Sequence, residues 1–265
     1  MAKGRRTQPR SNDHPRITGL SVRGFKSISD RIKIDLRRLT ILAGANSSGK
    51  SSIIQPLLLL KQTLDAPFDP GALRISGPNV VFTSSEQFLS KLPGVGQAEK
   101  FEIDVELMRS YRVGLIFARD PKEIVIIKQM TYNSKDKQRQ VLLRPGMTNE
   151  EIDHQFADDK EFQSFRKIFT AKDNEQPEVR LVRSRFFLQL ELSTPEMGER
   201  LGLALSPAGA LPRCVSNIIH VPGLRGNPER TYRTSAVGDE FPGLFNEYVA
   251  SIVHSWKSKR DDRLN

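Results

Sequence analysis

The stretch LTILAGANSSGKSS, residues 39–52, constrains the fold of this chain more than any other. It fits the pattern G-x-x-x-x-G-K-[ST], with Gly44 and Gly49 at the glycine positions, followed by Lys50 and Ser51. At average residue usage, a chance match in a chain of this length has a probability of roughly one in a hundred. A loop bracketed by glycines can turn successive backbone N–H groups inward to hold phosphate oxygens. The sequence therefore predicts a phosphate-binding loop.

The segments on either side of the loop resemble the strand and the helix that this motif requires. Residues 39–43, LTILA, are almost entirely apolar, which predicts a central strand covered on both faces. Residues 51–64, SSIIQPLLLLKQTL, have the leucine and isoleucine content of a helix, in which Pro56 predicts a kink rather than a break. This helix would direct its positive N-terminal end toward the bound anion.

The predicted site consists of nine consecutive residues: Gly44, Ala45, Asn46, Ser47, Ser48, Gly49, Lys50, Ser51 and Ser52. Backbone N–H groups from about Ala45 to Ser51 would donate to phosphate oxygens, and Lys50 would contact the β- and γ-phosphates. The Ser51 hydroxyl is the expected metal ligand, and Ser52 would lie beside the α-phosphate. A divalent ion is expected because clustered phosphate charges need neutralising. The predicted cofactors are therefore ATP and Mg²⁺.

Positive charge is concentrated at the start of the chain. Residues 1–38 contain eleven Lys and Arg against three Asp, so most of the net charge of +10 lies there. A concentrated basic segment favours a polyanionic partner such as nucleic acid. A solvated arm that improves solubility explains the same composition equally well. No aromatic residue precedes Phe25, so the first two dozen residues contain no platform for base stacking.

The composition also predicts how the chain is divided. Residues 1–15 are polar, charged and contain two prolines, which predicts a disordered basic arm. Residues 16–256 are predicted to form one lobe, and residues 257–265 a charged tail. The single cysteine, Cys214, rules out an internal disulfide, and the longest apolar run is too short to cross a bilayer. We therefore expect a soluble, cytoplasmic chain with no membrane partner.

Alternating apolar and charged residues predict a β-rich middle of the chain. Residues 100–107, KFEIDVEL, have the two-residue period of a half-buried strand. Similar β patterns occur at residues 31–36, 111–118, 123–132 and 185–192. Short strands without helices between the first of them predict antiparallel meanders. Residues 148–170 read as a polar helical insertion lying on the sheet, with Thr148 and Glu151 spaced as a capping box.

Residues 17–52 resemble the opening of the SMC, RecF and OLD-type ATPases of the ABC lineage. The shared features are a first strand, the turn GFKS at residues 24–27, an alternating strand, and a loop of the form G-x-N-x-S-G-K-S. The helix after the loop looks like that of AAA-type ATPases of the OLD-like group, and residues 217–240 resemble a later block of those proteins. The resemblance implies an α/β nucleotide-binding lobe of ABC type, with a mixed sheet and an antiparallel β subdomain. It also implies a role in DNA maintenance or anti-phage defence.

ABC-lineage enzymes also use a signature loop, a Walker B motif of four apolar residues before Asp-Glu, and a switch histidine. Residues 204–209, ALSPAG, have a proline where backbone donors are needed, and Asp239 and Glu240 do not follow an apolar strand. His254 lies on a helical face with Val253 and Trp256, which favours a packing role over a switch. The chain therefore resembles an incomplete front half, and a homodimer partner or a companion chain would supply Walker B and the signature. A non-catalytic ATP-binding regulatory subunit and a truncated gene fragment remain alternatives.

Four further candidates are weaker, and no catalytic residue is identified. Gln87 or Gln129 could contact the metal and the attacking water, although a surface glutamine explains each better. Arg225, between two glycines, could contact phosphate or brace the core. His154 and Asp158 are one helical turn apart and could share a metal, although a solvated helix surface is the better explanation.

Overall fold

The computed structural model describes residues 15–46, 48–92, 94, 96–122, 124–134, 139–168, 178–193, 203–205, 209–221, 251 and 253–258. The strands and helices within these ranges are β1 (Ile17–Arg23), β2 (Ile32–Asp35), α1 (Lys50–Leu64), β3 (Lys91–Leu92), β4 (Gly96–Gln97), β5 (Lys100–Leu107), β6 (Tyr111–Asp120), β7 (Ile124–Ser134), β8 (Arg139–Leu143), α2 (Asn149–Phe156), α3 (Lys160–Ile168), β9 (Glu178–Ser184), β10 (Phe187–Ser193), β11 (Leu203–Leu205) and α4 (Leu211–Ser216).

The main sheet has six strands in the order β2-β1-β5-β6-β7-β8, and every neighbouring pair is antiparallel. The predicted meander is therefore confirmed for β5 to β8, where consecutive strands are also neighbours. A second sheet has the order β11-β10-β9, and β3 pairs with β4. All of these pairs are antiparallel as well, so the mixed sheet implied by the family resemblance does not occur among the described strands.

Residues 39–43 are not the buried central strand that their apolar composition predicts. They have no strand conformation, and the side chains of Leu39 and Ile41 are 77% and 78% exposed. An apolar run becomes a central strand only when other strands pair with its backbone on both sides. No described strand pairs with residues 39–43, since the sheet ends at β2. The prediction of a buried central strand at residues 39–43 is therefore wrong.

The helix α1 runs without a break through Pro56, and the kink at this residue stays a prediction. Its residues Ile53, Leu57 and Leu60 are buried in the main core. An aromatic cluster forms the centre of that core and contains Phe25, Phe82, Phe88, Phe101 and Phe117, with neighbouring ring centroids 5.0–6.3 Å apart. The cluster joins residues from β1's end, the long loop after α1, and strands β5 and β6. It therefore fixes the chain that follows β1 relative to the sheet.

Buried polar side chains on α1 hold the loop that follows it. Gln62 is fully buried; its Nε2 donates to the Arg74 carbonyl at 2.6 Å, and its Oε1 accepts from the Val80 N–H at 3.0 Å. Lys61 is 2% exposed, and its Nζ donates to the Ser216 carbonyl at 2.7 Å. These bonds attach a loop without regular structure, and the helix α4, to the same helix that begins at the phosphate loop.

The predicted insertion at residues 148–170 contains two helices, α2 and α3, rather than one. The capping box is confirmed: the Thr148 hydroxyl accepts from the Glu151 N–H, and the Glu151 carboxylate accepts from the Thr148 N–H. Helix α2 ends at Phe156, and Asp159 bonds the start of α3 through the Phe162 N–H. The apolar side chains Ile152, Phe156 and Phe162 join the main core, so the insertion packs onto the sheet as expected.

Candidate functional site

The phosphate loop and the start of α1 are arranged around the ammonium group of Lys50. Its Nζ donates to the carbonyl oxygens of Gly44 at 2.8 Å and Ala45 at 2.5 Å, so the side chain folds back across the loop. The Ser48 N–H donates to the Ala45 carbonyl at 3.3 Å, which closes the turn. The Lys50 ammonium group is therefore held by the carbonyls of the loop.

Both glycines of the loop have a positive φ, a backbone conformation that residues with a side chain rarely adopt. Gly49 is the N-cap of α1 with φ +90°, and a Cβ there would lie 2.9 Å from the Ser27 Oγ. At Gly44, φ is +153°, and a Cβ would lie 2.8 Å from the Ser48 Oγ. A residue with a Cβ at either position would have to displace the serine hydroxyl. The positive φ would also be unfavourable for that residue. The two glycines of the motif therefore serve the turn itself.

A cavity of about 430 Å³ lies at this loop, and its described lining residues are Lys26, Ser27, Asn46, Gly49, Lys50, Ser51 and Ser52. Five of these seven belong to the predicted site, so the structure brings most of that site together. Gly44 and Ala45 contribute the carbonyls that bind Lys50, and Ser48 closes the turn between them. Ser47 lies outside the described residues.

The other two lining residues, Lys26 and Ser27, were not predicted as site residues. They belong to the GFKS turn after β1, which two backbone hydrogen bonds hold in place. The Phe25 N–H donates to the Ile28 carbonyl at 2.9 Å, and the Lys26 N–H donates to the Phe88 carbonyl at 2.7 Å. Phe25 is fully buried in the aromatic cluster, so this turn has one position relative to the loop. The signal for them in the sequence is the GFKS turn, which carries the family resemblance but does not by itself indicate a contact with a ligand.

Lys26 brings a second positive charge to the cavity. Its Nζ donates to the Gln55 Oε1 at 3.2 Å and lies 5.3 Å from the centroid of the Phe82 ring. Two lysine side chains, three serines and the start of α1 therefore meet at one opening, and the described lining includes no carboxylate. The first N–H groups of a helix have no acceptor within it and attract anions. The arrangement suits a polyphosphate.

The residues present also suit a phosphate-bound magnesium ion. Mg²⁺ takes oxygen ligands, keeps several waters, and commonly binds through substrate phosphates and few protein groups. The Ser51 hydroxyl is exposed at the cavity, on the first turn of α1, and Ser52 follows it. No group of three or more His, Cys, Asp or Glu that could hold a metal occurs in the described part of the chain. His154 is exposed on α2 and belongs to no such group.

Neither glutamine candidate lines the cavity. Gln87 ends a 3-10 turn, Ser85–Gln87, and both ends of its side-chain amide bond Thr83: Oε1 accepts from the N–H at 2.9 Å, and Nε2 bonds the hydroxyl at 2.7 Å. On β7, the Gln129 Nε2 donates to the Thr131 hydroxyl at 3.1 Å. Both amides therefore bond a local threonine.

Several later candidates lie outside the described residues, among them Arg225, Asp239 and Glu240. His254 is described and is exposed, and Val253 beside it is 42% exposed. His254 and Val253 are therefore not buried as a packing role would require, whereas Trp256 on the same face is half-buried. Of residues 204–209, the first two end the short strand β11.

Comparison with known proteins supports the assignment of the loop. A family model described as an AAA ATPase domain matches residues 16–193, about two thirds of the chain. The matched region contains the main sheet, the phosphate loop and all seven described lining residues of the cavity. No curated protein matches the chain. Within the described ranges, no helix is both long and apolar enough to span a membrane.

Proposed function

The chain belongs to the AAA ATPase domain family, and on that premise we propose that it is a Mg²⁺-dependent module that binds and hydrolyses ATP. The observation that carries the proposal is the position of Lys50, whose ammonium group spans the loop beside the cavity at the start of α1. A charge in this position can exchange loop carbonyls for phosphate oxygens with little movement. ATP is the expected nucleotide because of the family.

Each group around the cavity has a distinct proposed part in binding. The loop amides and the start of α1 hold the phosphate oxygens, and Lys50 moves from the Gly44 and Ala45 carbonyls to the β- and γ-phosphates. Ser51 would hold Mg²⁺, which when bound neutralises charge on the phosphates. Lys26, on the opposite segment, would add a second contact to the anion. Ser27 also lines the cavity, beside Gly49 at the end of the loop.

We further propose that a partner completes the site for hydrolysis, either a second copy or a companion chain. Cleavage requires a side chain that orients the attacking water. The family resemblance implies a Walker B carboxylate for this role, and the described lining residues include none. The exposed apolar side chains of residues 39–43 lie immediately before the loop and offer a surface for such a partner. In this proposal the partner supplies the Walker B and signature elements.

The biological setting is proposed from the sequence resemblance and the charge distribution. Residues 17–52 resemble the SMC, RecF and OLD-type ATPases, and residues 1–38 contain eleven basic residues. Both features support coupling of nucleotide state to action on nucleic acid, in DNA maintenance or anti-phage defence. A cytoplasmic location is expected for such a role.

A second function is a regulatory subunit that binds ATP without hydrolysing it. The same cavity lining without a described carboxylate favours it. Phosphate release by the purified chain separates the two functions: turnover that disappears in Lys50→Ala supports the ATPase. Tight Mg-ATP binding without turnover, with and without a partner chain, supports the regulatory subunit.

Lys50→Ala tests the common premise of both functions. We expect calorimetry to show loss of Mg-ATP binding and circular dichroism to show an unchanged fold, because the Lys50 side chain bonds only the loop in the described structure. Lys100→Ala is the matched control, since it removes an exposed lysine ammonium at the start of β5. Undiminished Mg-ATP affinity in Lys50→Ala would refute the assignment of the loop.

A further inference from the structure

A second cleft, of about 630 Å³, lies at the opposite end of β1 from the ATP cavity. Its lining residues are Arg16, Ile17, Thr18, Leu36, Arg37, Arg38 and Arg109. We call it the arginine cleft, because four of these seven residues are arginines. They come from three separate segments: the start of β1, the chain after β2, and the turn between β5 and β6.

Buried Thr18 holds these three segments together. Its hydroxyl donates to the Glu106 carbonyl at 3.3 Å and accepts from the Arg109 N–H at 3.0 Å. Its carbonyl accepts from the Leu36 N–H at 2.9 Å, and the Arg16 carbonyl accepts from the Met108 N–H at 3.0 Å. The backbone positions of the arginines are therefore fixed by the sheet, although their guanidinium groups are exposed.

The arginines of the cleft differ from other basic residues of the described chain in their lack of ion pairs. Arg16, Arg37, Arg38 and Arg109 form no ion pair there. Basic residues near β5, by contrast, form ion pairs with the carboxylates of that strand. The pairs are Glu102 with Arg23, Arg31 and Lys100, Asp104 with Arg31, and Glu106 with Lys33 and Arg112.

We propose that the arginine cleft binds the phosphate backbone of a nucleic acid. Four like charges around one opening repel each other, and a bound polyanion removes that repulsion. The planar guanidinium group donates two parallel hydrogen bonds to a phosphate, and four such groups from three segments can contact successive phosphates. The inference rests on the proposed function only for the choice of nucleic acid as the polyanion.

The lining of the cleft indicates contact with the backbone rather than with the bases. It contains no aromatic side chain on which a base could stack. Its two large apolar residues, Ile17 and Leu36, are half-buried against the core rather than projecting from the surface. Phosphate contacts fix the position of a protein on nucleic acid without reading its sequence. Binding through the arginine cleft should therefore depend strongly on salt and weakly on base sequence.

The strand β1 connects the arginine cleft with the ATP cavity. Its seven residues, Ile17–Arg23, span roughly 23 Å, and the GFKS turn at its end lines the ATP cavity. The two sites are thus separate but attached to one strand of the main sheet. Substitutions in the arginine cleft should leave Mg-ATP binding unchanged, which allows each site to be measured independently.

The test uses the full chain with the double substitution Arg37→Gln/Arg38→Gln, and separately Arg109→Gln. The probe is a fluorescein-labelled 30-base-pair DNA duplex followed by fluorescence anisotropy, with the same strand single-stranded as a second probe. For the double variant we expect affinity to fall roughly tenfold, and the slope of log affinity against log salt to become shallower by about one per lost phosphate contact. Scrambling the duplex sequence should change neither result.

The matched control is Arg112→Gln/Arg119→Gln, which removes the same charge from exposed arginines that pair with Glu106 and Glu86. We expect it to keep the wild-type salt slope. Equal weakening by the control, or an unchanged affinity and slope in both cleft variants, would overturn the proposal.

Calorimetry with Mg-ATP on the same proteins separates this inference from the proposed function. If the wild type fails to bind Mg-ATP, the proposed function fails, whereas the anisotropy comparison still decides the role of the arginine cleft. If Mg-ATP binds and the cleft variants retain the wild-type affinity for DNA, only the inference fails.

Discussion

The Ser27 Oγ lies 2.9 Å from the position that a Cβ on Gly49 would occupy. Ser27 follows β1, whereas Gly49 ends the phosphate loop, so two segments 22 residues apart in the chain meet at the site. The first segment is fixed by buried Phe25, and the second continues into α1. The phosphate site therefore depends on the core beneath the GFKS turn as well as on the loop motif.

Gly49→Ala tests this relationship. Alanine at φ +90° costs roughly 1–2 kcal/mol, and its Cβ would also press on the Ser27 hydroxyl. We expect Mg-ATP affinity, measured by calorimetry, to fall at least tenfold. The control is Gly71→Ala, which has a similar φ of +88° but no atom within 4 Å of the added Cβ. It should reduce thermal stability without weakening Mg-ATP binding.

The double variant Ser27→Gly/Gly49→Ala separates the contact from the backbone strain. Removing the hydroxyl should restore part of the affinity, because the contact disappears while the unfavourable φ remains. Wild-type affinity in Gly49→Ala alone would show that the loop does not need this spacing.

Lys26→Gln tests whether the second ammonium group contacts the nucleotide. We expect the Kd for Mg-ATP to rise about five- to tenfold, less than in Lys50→Ala, because Lys26 reaches the cavity from one side and also bonds Gln55. Gln55→Ala removes that bond without changing charge, and Lys33→Gln removes a lysine paired with Glu106 away from the cavity. An affinity loss in Lys33→Gln equal to that in Lys26→Gln would indicate a general charge effect.

The sequence predicted those features whose cause is local. The alternation of β5 predicted a strand that is buried on one face, and the spacing of Thr148 and Glu151 predicted the capping box. The loop motif predicted most residues of the cavity. In each case neighbouring residues contain all the information that the feature requires.

Features that depend on distant segments were missed. Residues 39–43 are apolar enough for a central strand, but burial depends on neighbouring strands that composition does not specify. Lys26 joins the site because the Phe88 carbonyl, from a loop more than 60 residues later, holds its backbone N–H. Nothing in the sequence next to Lys26 distinguishes it from the other basic residues of the N-terminal segment.

Gln62→Leu tests how the loop after α1 is held. The substitution retains the apolar stem but leaves the Arg74 carbonyl and the Val80 N–H without their buried partner. We expect the free energy of unfolding, measured by urea denaturation, to fall by about 1–3 kcal/mol. Gln87→Leu is the control, since its amide bonds only the exposed Thr83, and it should change stability much less. Equal effects would show that burial of the amide is unimportant.

Asp69 should make stability depend on acid pH. Burial raises the pKa of its carboxyl, but hydrogen bonds from the Arg185 N–H, the Arg183 guanidinium and the Gly71 N–H, with the charge of Arg183, outweigh that effect and lower the pKa. A carboxyl with a lowered folded-state pKa stabilises the fold above its unfolded value and loses that contribution as pH falls through the folded value.

The stability difference between wild type and Asp69→Asn should therefore be present at pH 7 and shrink as pH falls below about 4. Urea denaturation at several pH values measures it. Asp158→Asn, which changes an exposed aspartate of the helical insertion, is the control and should change stability little at pH 7. A difference for Asp69→Asn that stays constant to pH 3 would contradict the role of its ionised form.

Leu39→Ser/Ile41→Ser tests whether residues 39–43 contact another polypeptide. Both side chains are more than three quarters exposed, so the substitution should change the free energy of unfolding by less than about 0.5 kcal/mol. Exposed apolar side chains on a segment without a described strand partner favour association. In sedimentation velocity, we expect the wild type to self-associate with rising concentration and the double variant to do so only at about tenfold higher concentration.

Phe68→Ser/Val81→Ser, at positions 63% and 69% exposed, is the control and should behave as wild type. Suppression by both pairs would indicate general surface hydrophobicity, and a wild type that stays monomeric with and without Mg-ATP would contradict the homodimer.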